Sequence, residues 1–431
     1  MTARIVFYGD DFTGATDTLA NAASVGLRTV LFLGVPTEAQ LARAGPLDCI
    51  GIAGAARAMS PAEMLAELVP VGRFFEASGA RVLHYKTCST FDSAPHVGSI
   101  GQAINVLRPF AANPFVPVVG GQPNLGRYCV FGNLFAAAGS GGAVHRIDRH
   151  PTMSRHPVTP MHEADLRRHL ALQGLAQVAG IDYTAYDAPM SAVDDKLAAL
   201  LATQPDAVLL DVAAPAHLAH VGRLVWQHAW QQPLLAAGPS SVVQALAAHW
   251  GLAAHGDAVD LAAAVGPVLV LAGSLSPLTA QQVRAATSYT PIALDAAQLA
   301  HTGYRQRMAD EVAALLRAGR SVLACTSREG AATAGVPAGS RSLAEASGRW
   351  LAQVLAAAPL RRVGIAGGDT SSLAVQALDA WGLSHLRQVA PGLALCRVHS
   401  DRPALDGMEI VLKGGQMGPV DLFERLLHGS R

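Results

Sequence analysis

Two polar runs stand directly behind apolar stretches and carry residue types that do chemistry. Gly9-Asp10-Asp11-Phe12-Thr13-Gly14-Ala15-Thr16-Asp17 follows the apolar Ile5–Tyr8. Two adjacent acids, a glycine-containing turn and a helix start suit contact with a polar substrate, or acceptance of a proton from it. One aspartate here would equally serve as a helix N-cap. Tyr85-Lys86-Thr87-Cys88-Ser89-Thr90-Phe91-Asp92-Ser93 follows the strand candidate Arg81–Tyr85. Lys86 suits an anionic group, and Ser89 and Thr90 suit hydroxyls. The alternative is a solvated surface loop. Cys88 belongs to no pattern that activates a thiol.

Glycine carries the second kind of signal. Gly364-Ile365-Ala366-Gly367-Gly368-Asp369-Thr370-Ser371-Ser372 reads as a strand running into paired glycines and a helix start. Such a turn lets backbone approach an anion, and the helix N-terminus offers N–H donors. No GxxxxGK[ST] loop and no clean GxGxxG occurs. Gly273-Ser274-Leu275-Ser276-Pro277 and Lys413-Gly414-Gly415-Gln416-Met417-Gly418 also follow apolar strands. Converging on one sheet edge, the three turns would build a pocket for phosphate and adenine. His145, Arg146, Asp148, Arg149, His150, Arg155 and His156 form a further run with no recognised metal spacing. Arginine forks match carboxylates and phosphates, so part of this run is expected to hold an anionic substrate group; an exposed basic loop or an oligomer contact is the alternative.

The elements that must position these groups alternate along the chain. Strand patterns at 5–8, 29–33, 49–53 and 81–85 are separated by helical ones at 16–25 and 61–75, with another helix at 98–107. Between 114 and 159 glycine, proline and histidine dominate, and an irregular segment is expected. A helix over 161–173 follows, then strand and helix again at 207–212, 215–227, 233–236 and 240–250. After Gly251–Gly266 a fresh unit starts at Val268–Ala272 and repeats the rhythm. The pattern predicts an α/β fold: two α/β domains, 1–250 and 251–431, with mostly parallel sheets and an inter-domain cleft.

Composition narrows the function classes. The 431 residues carry 32 Lys plus Arg against 32 Asp plus Glu, a formal net charge of +0. With no basic excess, phosphate-backbone recognition of nucleic acid is not expected. Charged residues are 15% and apolar ones 51%, which points to a large core rather than disorder. The most apolar stretches, 207–214 and 261–272, are too short to span a membrane. The N-terminus lacks a signal-peptide pattern, so a cytoplasmic protein is expected. Five widely spaced cysteines argue against a disulfide scaffold.

FYGDDFTGATD, YKTCSTFDS, GSLSP, GGDTS and KGGQMG together resemble the motifs of the four-carbon acid sugar kinase family, in order across nearly the whole chain. The resemblance implies a sugar-acid site in the N-terminal domain with contacts from Asp10, Asp11, Lys86 and Ser89, to which Thr90 and Arg155 are added. It implies ATP contacts in the C-terminal domain from Ser274, Gly367, Gly368, Asp369, Thr370 and Gly415, extended here to Ser276 and Gly414. Asp11 and Asp92 are the candidate catalytic bases. Mg²⁺ is expected on the phosphates, with Asp369 as the candidate ligand. The Phe91-Asp92-Ser93 variant and His156-Pro157-Val158-Thr159-Pro160-Met161 look more like the 3-oxo-tetronate kinase branch than threonate or erythronate kinases. A 3-oxo-isoapionate kinase or a threonate/erythronate kinase is the alternative within the family, and a non-catalytic sugar-acid binding protein the alternative outside it. The partner expected is a small sugar acid, with a homodimer left open.

Overall fold

The computed structural model describes residues 3–139, 141–156, 158–253, 261–273, 276–326 and 341–430, with only the backbone of Asp369. The chain divides into two compact units, Met1–Gly256 and Asp257–Arg431. Among the described residues no helix is long and apolar enough to cross a membrane.

The strands of the first unit are β1 (Ile5–Gly9), β2 (Thr29–Phe32), β3 (Cys49–Ala53), β4 (Val82–Lys86), β5 (Pro117–Gln122), β6 (Arg127–Val130), β7 (Asn133–Ala137), β8 (Val144–Arg146), β9 (Val178–Ile181), β10 (Ala207–Asp211) and β11 (Leu234–Gly238). Eight of them form a parallel sheet in the order β2-β3-β1-β4-β11-β5-β10-β9. Helices cross between parallel strands and cover them, so the strands read as unbroken apolar runs. Ile5, Val6, Phe7 and Tyr8 of β1 are fully buried, each such side chain contributing about 1.5–3 kcal/mol. The helices carry their own start signals: Pro61–Ser78 opens on a Ser60/Glu63 capping box with Pro61 at its first position.

The segment 114–159 corrects the sequence expectation. It holds β5, a full member of the sheet, and an antiparallel ribbon β5-β6-β7-β8. The chain leaves the sheet at Gly121, whose φ is 98°. A Cβ there would lie 2.4 Å from the Val212 carbonyl oxygen, so only glycine fits. The helix expected over 161–173 shortens to Leu166–Ala171. The first helix begins earlier than expected, spanning Phe12–Ser24 with Asp11 as its N-cap.

The second unit contains β12 (Val268–Ala272), β13 (Thr290–Ala293), β14 (Val322–Cys325), β15 (Arg362–Ala366), β16 (Gly382–Ala390), β17 (Leu393–His399) and β18 (Glu409–Lys413). The order is β13-β14-β12-β15-β18-β17-β16, parallel from β13 to β18 and antiparallel beyond. Val268, Val270, Leu323, Leu395, Val411, Phe423 and Leu426 belong to one buried cluster in this unit. The helix that starts after the paired glycines runs Gly368–Gln376, with Gly367 as its N-cap.

Candidate functional site

In the first unit the chain goes from β1 outward to β2, returns to β3 beside β1, then crosses to β4 on the other side. The crevice at such a reversal, outside the carboxyl ends of parallel strands, is where open α/β sheets bind ligands. Asp10 and Asp11 leave β1 there and Lys86 ends β4. All three are buried, at 4%, 7% and 4% exposure.

Arg57, from the turn Ala56–Ala58 after β3, ties the acids together. Its Nε and Nη2 donate to the two Asp10 oxygens at 3.2 and 2.9 Å, and its Nη1 to Asp11 Oδ2 at 2.9 Å. This planar fork holds both carboxylates with one cation. Asp11 is further occupied: Gly14 N–H donates to Oδ1 at 2.9 Å, and Thr13 Oγ1 to Oδ2 at 2.6 Å. Lys86 Nζ stands 3.9 Å from Oδ1. A Cβ on Gly14 would fall 1.7 Å from Lys86 Nζ and 2.5 Å from Asp11 Oδ1, so the glycine makes room for the lysine. Burial pushes the Asp10 carboxyl above its ordinary range, against the opposing Arg57 charge. Burial pushes Asp11 the same way, but Arg57, Lys86, Thr13 and Gly14 outweigh it and hold Asp11 below that range.

The loop after Lys86 is fixed from within. Thr90 Oγ1 donates to Asp92 Oδ1 at 2.6 Å and lies 3.0 Å from Cys88 Sγ. Phe91 adopts a φ of 54°, uncommon for a bulky residue. Ser93, His169 and Gln173 brace that conformation: Ser93 Oγ donates to the Phe91 carbonyl at 2.9 Å, and His169 Nε2 lies 3.1 Å from the same oxygen. Gln173 donates to Ser93 Oγ at 2.8 Å. Burial raises Asp92, yet the Arg57 charge with Cys88 and Thr90 brings it below its ordinary range. The Cys88 thiol is pushed up to about 11 by burial. Ser89 is partly exposed on the same loop.

Deeper in the edge, Gln122 at the end of β5 donates to Asp17 Oδ2 at 3.1 Å, and Ser240, just past β11, donates to the same oxygen. Two arginines that no motif marks complete the first site, Arg57 and Arg127. Arg127 sits opposite Gln122 in the ribbon. Burial lowers its pKa, while the carboxylates of Asp92 and Asp17 act against that shift. Its only hydrogen-bond acceptor among the described residues is the Leu125 carbonyl, and its Nε is buried without a partner. Arg155 is exposed on the turn Met153–Arg155. From that run His156 acts on Asp92 electrostatically, and its Nδ1 accepts from the Thr159 N–H at 3.1 Å.

In the second unit the three glycine turns follow β12, β15 and β18, which are adjacent in the sheet. The turns are laced to the strands: Gly273 N–H donates to Ala366 O and Gly367 N–H to Lys413 O, both at 2.8 Å. Gly367 has a φ of 125°, open to glycine. A Cβ on Gly273 would lie 2.3 Å from Thr370 Oγ1, whereas one on Gly368 meets nothing within 4 Å. Among the described residues, open space therefore lies in front of Gly368, at the N-terminus of helix Gly368–Gln376. Ser276 caps helix Pro277–Ala285 through a hydrogen bond from Thr279 N–H at 3.1 Å and reaches the Gly415 carbonyl. Gly414 and Gly415 follow Lys413 directly. Ser274 and the Asp369 side chain lie outside the described residues. No group of three or more His, Cys, Asp or Glu suited to a metal is found among the described residues.

Residues 5–246 match a family of sugar-binding N-terminal domains, and residues 269–423 a family of nucleotide-binding C-terminal domains. A 3-oxo-isoapionate kinase of Paraburkholderia graminis is 40% identical over 451 residues, spanning 99% of this chain and 94% of that protein. A 3-oxo-tetronate kinase of Methylobacterium radiotolerans is 32% identical, spanning 99% of both. The crystal structure of a Haemophilus influenzae protein superposes with a TM-score of 0.71 at 25% identity, covering 97% of this chain and 98% of that one.

Proposed function

This chain belongs to the four-carbon acid sugar kinase family, and from that premise we propose that it moves the γ-phosphoryl group of ATP to the terminal hydroxyl of a small 3-oxo sugar acid. The observation that carries the reading is the division of chemistry between two sheet edges. The first unit gathers buried acids and cations that suit a short, polar, anionic sugar derivative. The second gathers glycine turns on three adjacent parallel strands, the arrangement that suits phosphate.

Within the first site the roles divide by how much bonding capacity each group keeps. A carboxylate offers about four lone-pair sites. Asp11 spends its sites on Gly14, Thr13, Arg57 and Lys86, so its part is to organise the cations. Asp92 accepts from Thr90 and retains capacity, which fits the general base. In that step the hydroxyl oxygen bonds to γ-phosphorus, the β–γ bridging bond breaks, the proton passes to Asp92, and ADP leaves. Positioning and charge stabilisation supply most of the acceleration. Lys86 and Arg127 take the substrate carboxylate, while Ser89 and Thr90 take its hydroxyls. In the second site Ser276, Gly367, Gly368, Thr370, Gly414 and Gly415 take the nucleotide. Mg²⁺, which neutralises charge between phosphoryl oxygens, is commonly bound through phosphates and one or two carboxylates; Asp369, next to Gly368 in the sequence, is the acid that would supply one.

The substrate favoured is 3-oxo-isoapionate, because the relative of that name is the more similar of the two kinases, 40% against 32%. The second candidate is a 3-oxo-tetronate, expected from the Phe91-Asp92-Ser93 variant. ATP consumption measured in parallel with 3-oxo-isoapionate, 3-oxo-tetronates and aldonates, with the phosphorylated position assigned by NMR, decides between them. Absence of turnover with every sugar acid would overturn the kinase reading.

A further inference from the structure

Lys413, the last residue of β18, is 1% exposed. Its ammonium donates to Thr279 Oγ1 at 2.7 Å, Gly414 O at 3.0 Å and Gly415 O at 3.1 Å. Three donors thus meet three neutral acceptors, and no carboxylate among the described residues forms an ion pair with it. Among the described residues the groups that bond Nζ are uncharged: Thr279 from helix Pro277–Ala285 and the carbonyls of its own turn; Ala366 is its register partner in β15. The same helix collects the rest of the turn. Thr279 Oγ1 donates to Gly415 O at 3.1 Å, and Gln282 Nε2 to the carbonyls of Met417, Gly418 and Pro419 at 3.1, 3.4 and 2.8 Å. The carbonyls of the turn therefore point inward. The N–H groups of Gly415 and Gln416 enter no hydrogen bond among the described residues.

A buried ammonium without a counter-ion is costly, and a turn with inward carbonyls and unused N–H groups is the backbone half of an anion nest. We propose that Lys413 is a positioning residue for the nucleotide polyphosphate, turning the Gly414 and Gly415 carbonyls inward so that the turn offers its N–H groups, and completing its own charge against the bound phosphate. The inference rests on the nucleotide-binding reading of the second unit. It has a thermodynamic signature. Burial lowers Lys413 to about 7 in the free chain, and a phosphate placed over it raises that value. Between the two values nucleotide binding takes up a proton.

The test is calorimetric titration of the full chain with ADP and Mg²⁺ at pH 8, where ADP is already ionised, in buffers of different ionisation heat. The wild type is expected to take up a large fraction of one proton per ADP. Lys413→Arg keeps the charge permanently and should bind ADP without proton uptake. Lys413→Met should lose both the uptake and about 10- to 100-fold in affinity, the range for a hydrogen bond to a charged group. ADP binding by the wild type with no proton uptake overturns the proposal, as does uptake that survives in Lys413→Arg. If Lys413→Met fails to fold, the wild type and Lys413→Arg still decide. A wild type that binds neither ADP nor ATP would sink the nucleotide reading instead, so the two failures are distinct.

Discussion

At the edge of the first sheet the polar groups gathered together are side chains: Asp10, Asp11, Lys86, Asp92, Arg57 and Arg127. At the edge of the second they are mostly backbone, at Gly273, Gly367, Gly368, Gly414 and Gly415, with one buried cation beneath. Yet the two edges are built alike. Counting within each unit, the first four strands lie in the order second-third-first-fourth, as β2-β3-β1-β4 and as β13-β14-β12-β15. The same reversal opens the same crevice, and what fills it sets the chemistry. A sugar acid differs from its neighbours in hydroxyl and carboxylate positions, which directional side chains can read. A polyphosphate chain is recognised by N–H groups and a helix N-terminus without side-chain charge.

The largest effects should separate two acids of the first edge. Asp92→Asn is expected to lower kcat by about 10²–10⁴, the usual range for a general base, with a near-native melting temperature. Asp11→Asn should lower the melting temperature instead, since it leaves part of the buried Arg57 and Lys86 charge uncompensated; breaking a buried pair costs about 3–5 kcal/mol at most. Steady-state kinetics beside thermal unfolding checks both. If Asp11→Asn kept native stability and lost only kcat, the two roles would have to be exchanged.

Next come two glycines, one from each edge. Gly14→Ala drives a methyl into Lys86 Nζ and Asp11 Oδ1, and overpacking of this kind costs about 1–3 kcal/mol. The expected outcome is a raised KM for the sugar acid and a lower melting temperature. Gly368→Ala meets no atom of the described residues within 4 Å, so stability should stay unchanged while KM for ATP rises, the methyl intruding where phosphate belongs. Equal loss of stability in both variants would erase the contrast.

Much of this contrast is readable in the chain, and the unread parts have physical causes. β1, β3, β12 and β15 announce themselves because parallel strands covered on both faces are short apolar runs ending in Gly or Asp. Arg57 stays hidden: Ala55-Ala56-Arg57-Ala58-Met59 has no pattern, and only the pairing of β3 beside β1 brings it to Asp10. Arg127 stays hidden with its ribbon. The β6–β7 hairpin turns through Phe131 and Gly132, with φ of 50° and 78°, where Asn-Gly would be the usual signal. The β16–β17 hairpin had a signal, Pro391-Gly392 between two apolar runs. Lys413 was visible as a residue, but that no carboxylate among the described residues pairs with it is a property of packing.

The two edges should also respond to opposite ends of the pH scale. Asp11 and Asp92 are held below their ordinary range, so their contribution to stability is present above about pH 4 and lost as pH falls through their lowered values; Asp10, shifted upward, opposes part of that loss. Lys413 is lowered from 10.5 to about 7. The unfolded chain then binds more protons than the folded one between those values, and stability gains a rising contribution across that window. Denaturant unfolding of Lys413→Met should show a flatter profile from pH 7 to 10 than the wild type. An unchanged slope would mean that Lys413 keeps its proton when buried.

The smallest effect is expected at Cys88, in the middle of the first edge. A thiol pushed up to about 11 by burial holds almost no thiolate near pH 7, and the thiolate is the nucleophile. What Cys88 does contribute is a contact with Thr90 Oγ1 at 3.0 Å, and Thr90 in turn donates to Asp92. Serine preserves a polar atom at that position, so Cys88→Ser should hold kcat within about twofold, because catalysis here is assigned to general-base and charge effects rather than to a covalent intermediate. Cys88→Val removes the contact and frees the Thr90 hydroxyl to reorient, so any loss should appear in kcat through Asp92 and be absent from KM for ATP. A Cys88→Ser variant that lost activity as deeply as Asp92→Asn would put a nucleophile at the first edge, and the division between side-chain charge there and backbone N–H groups in the second unit would no longer describe how the reaction is run.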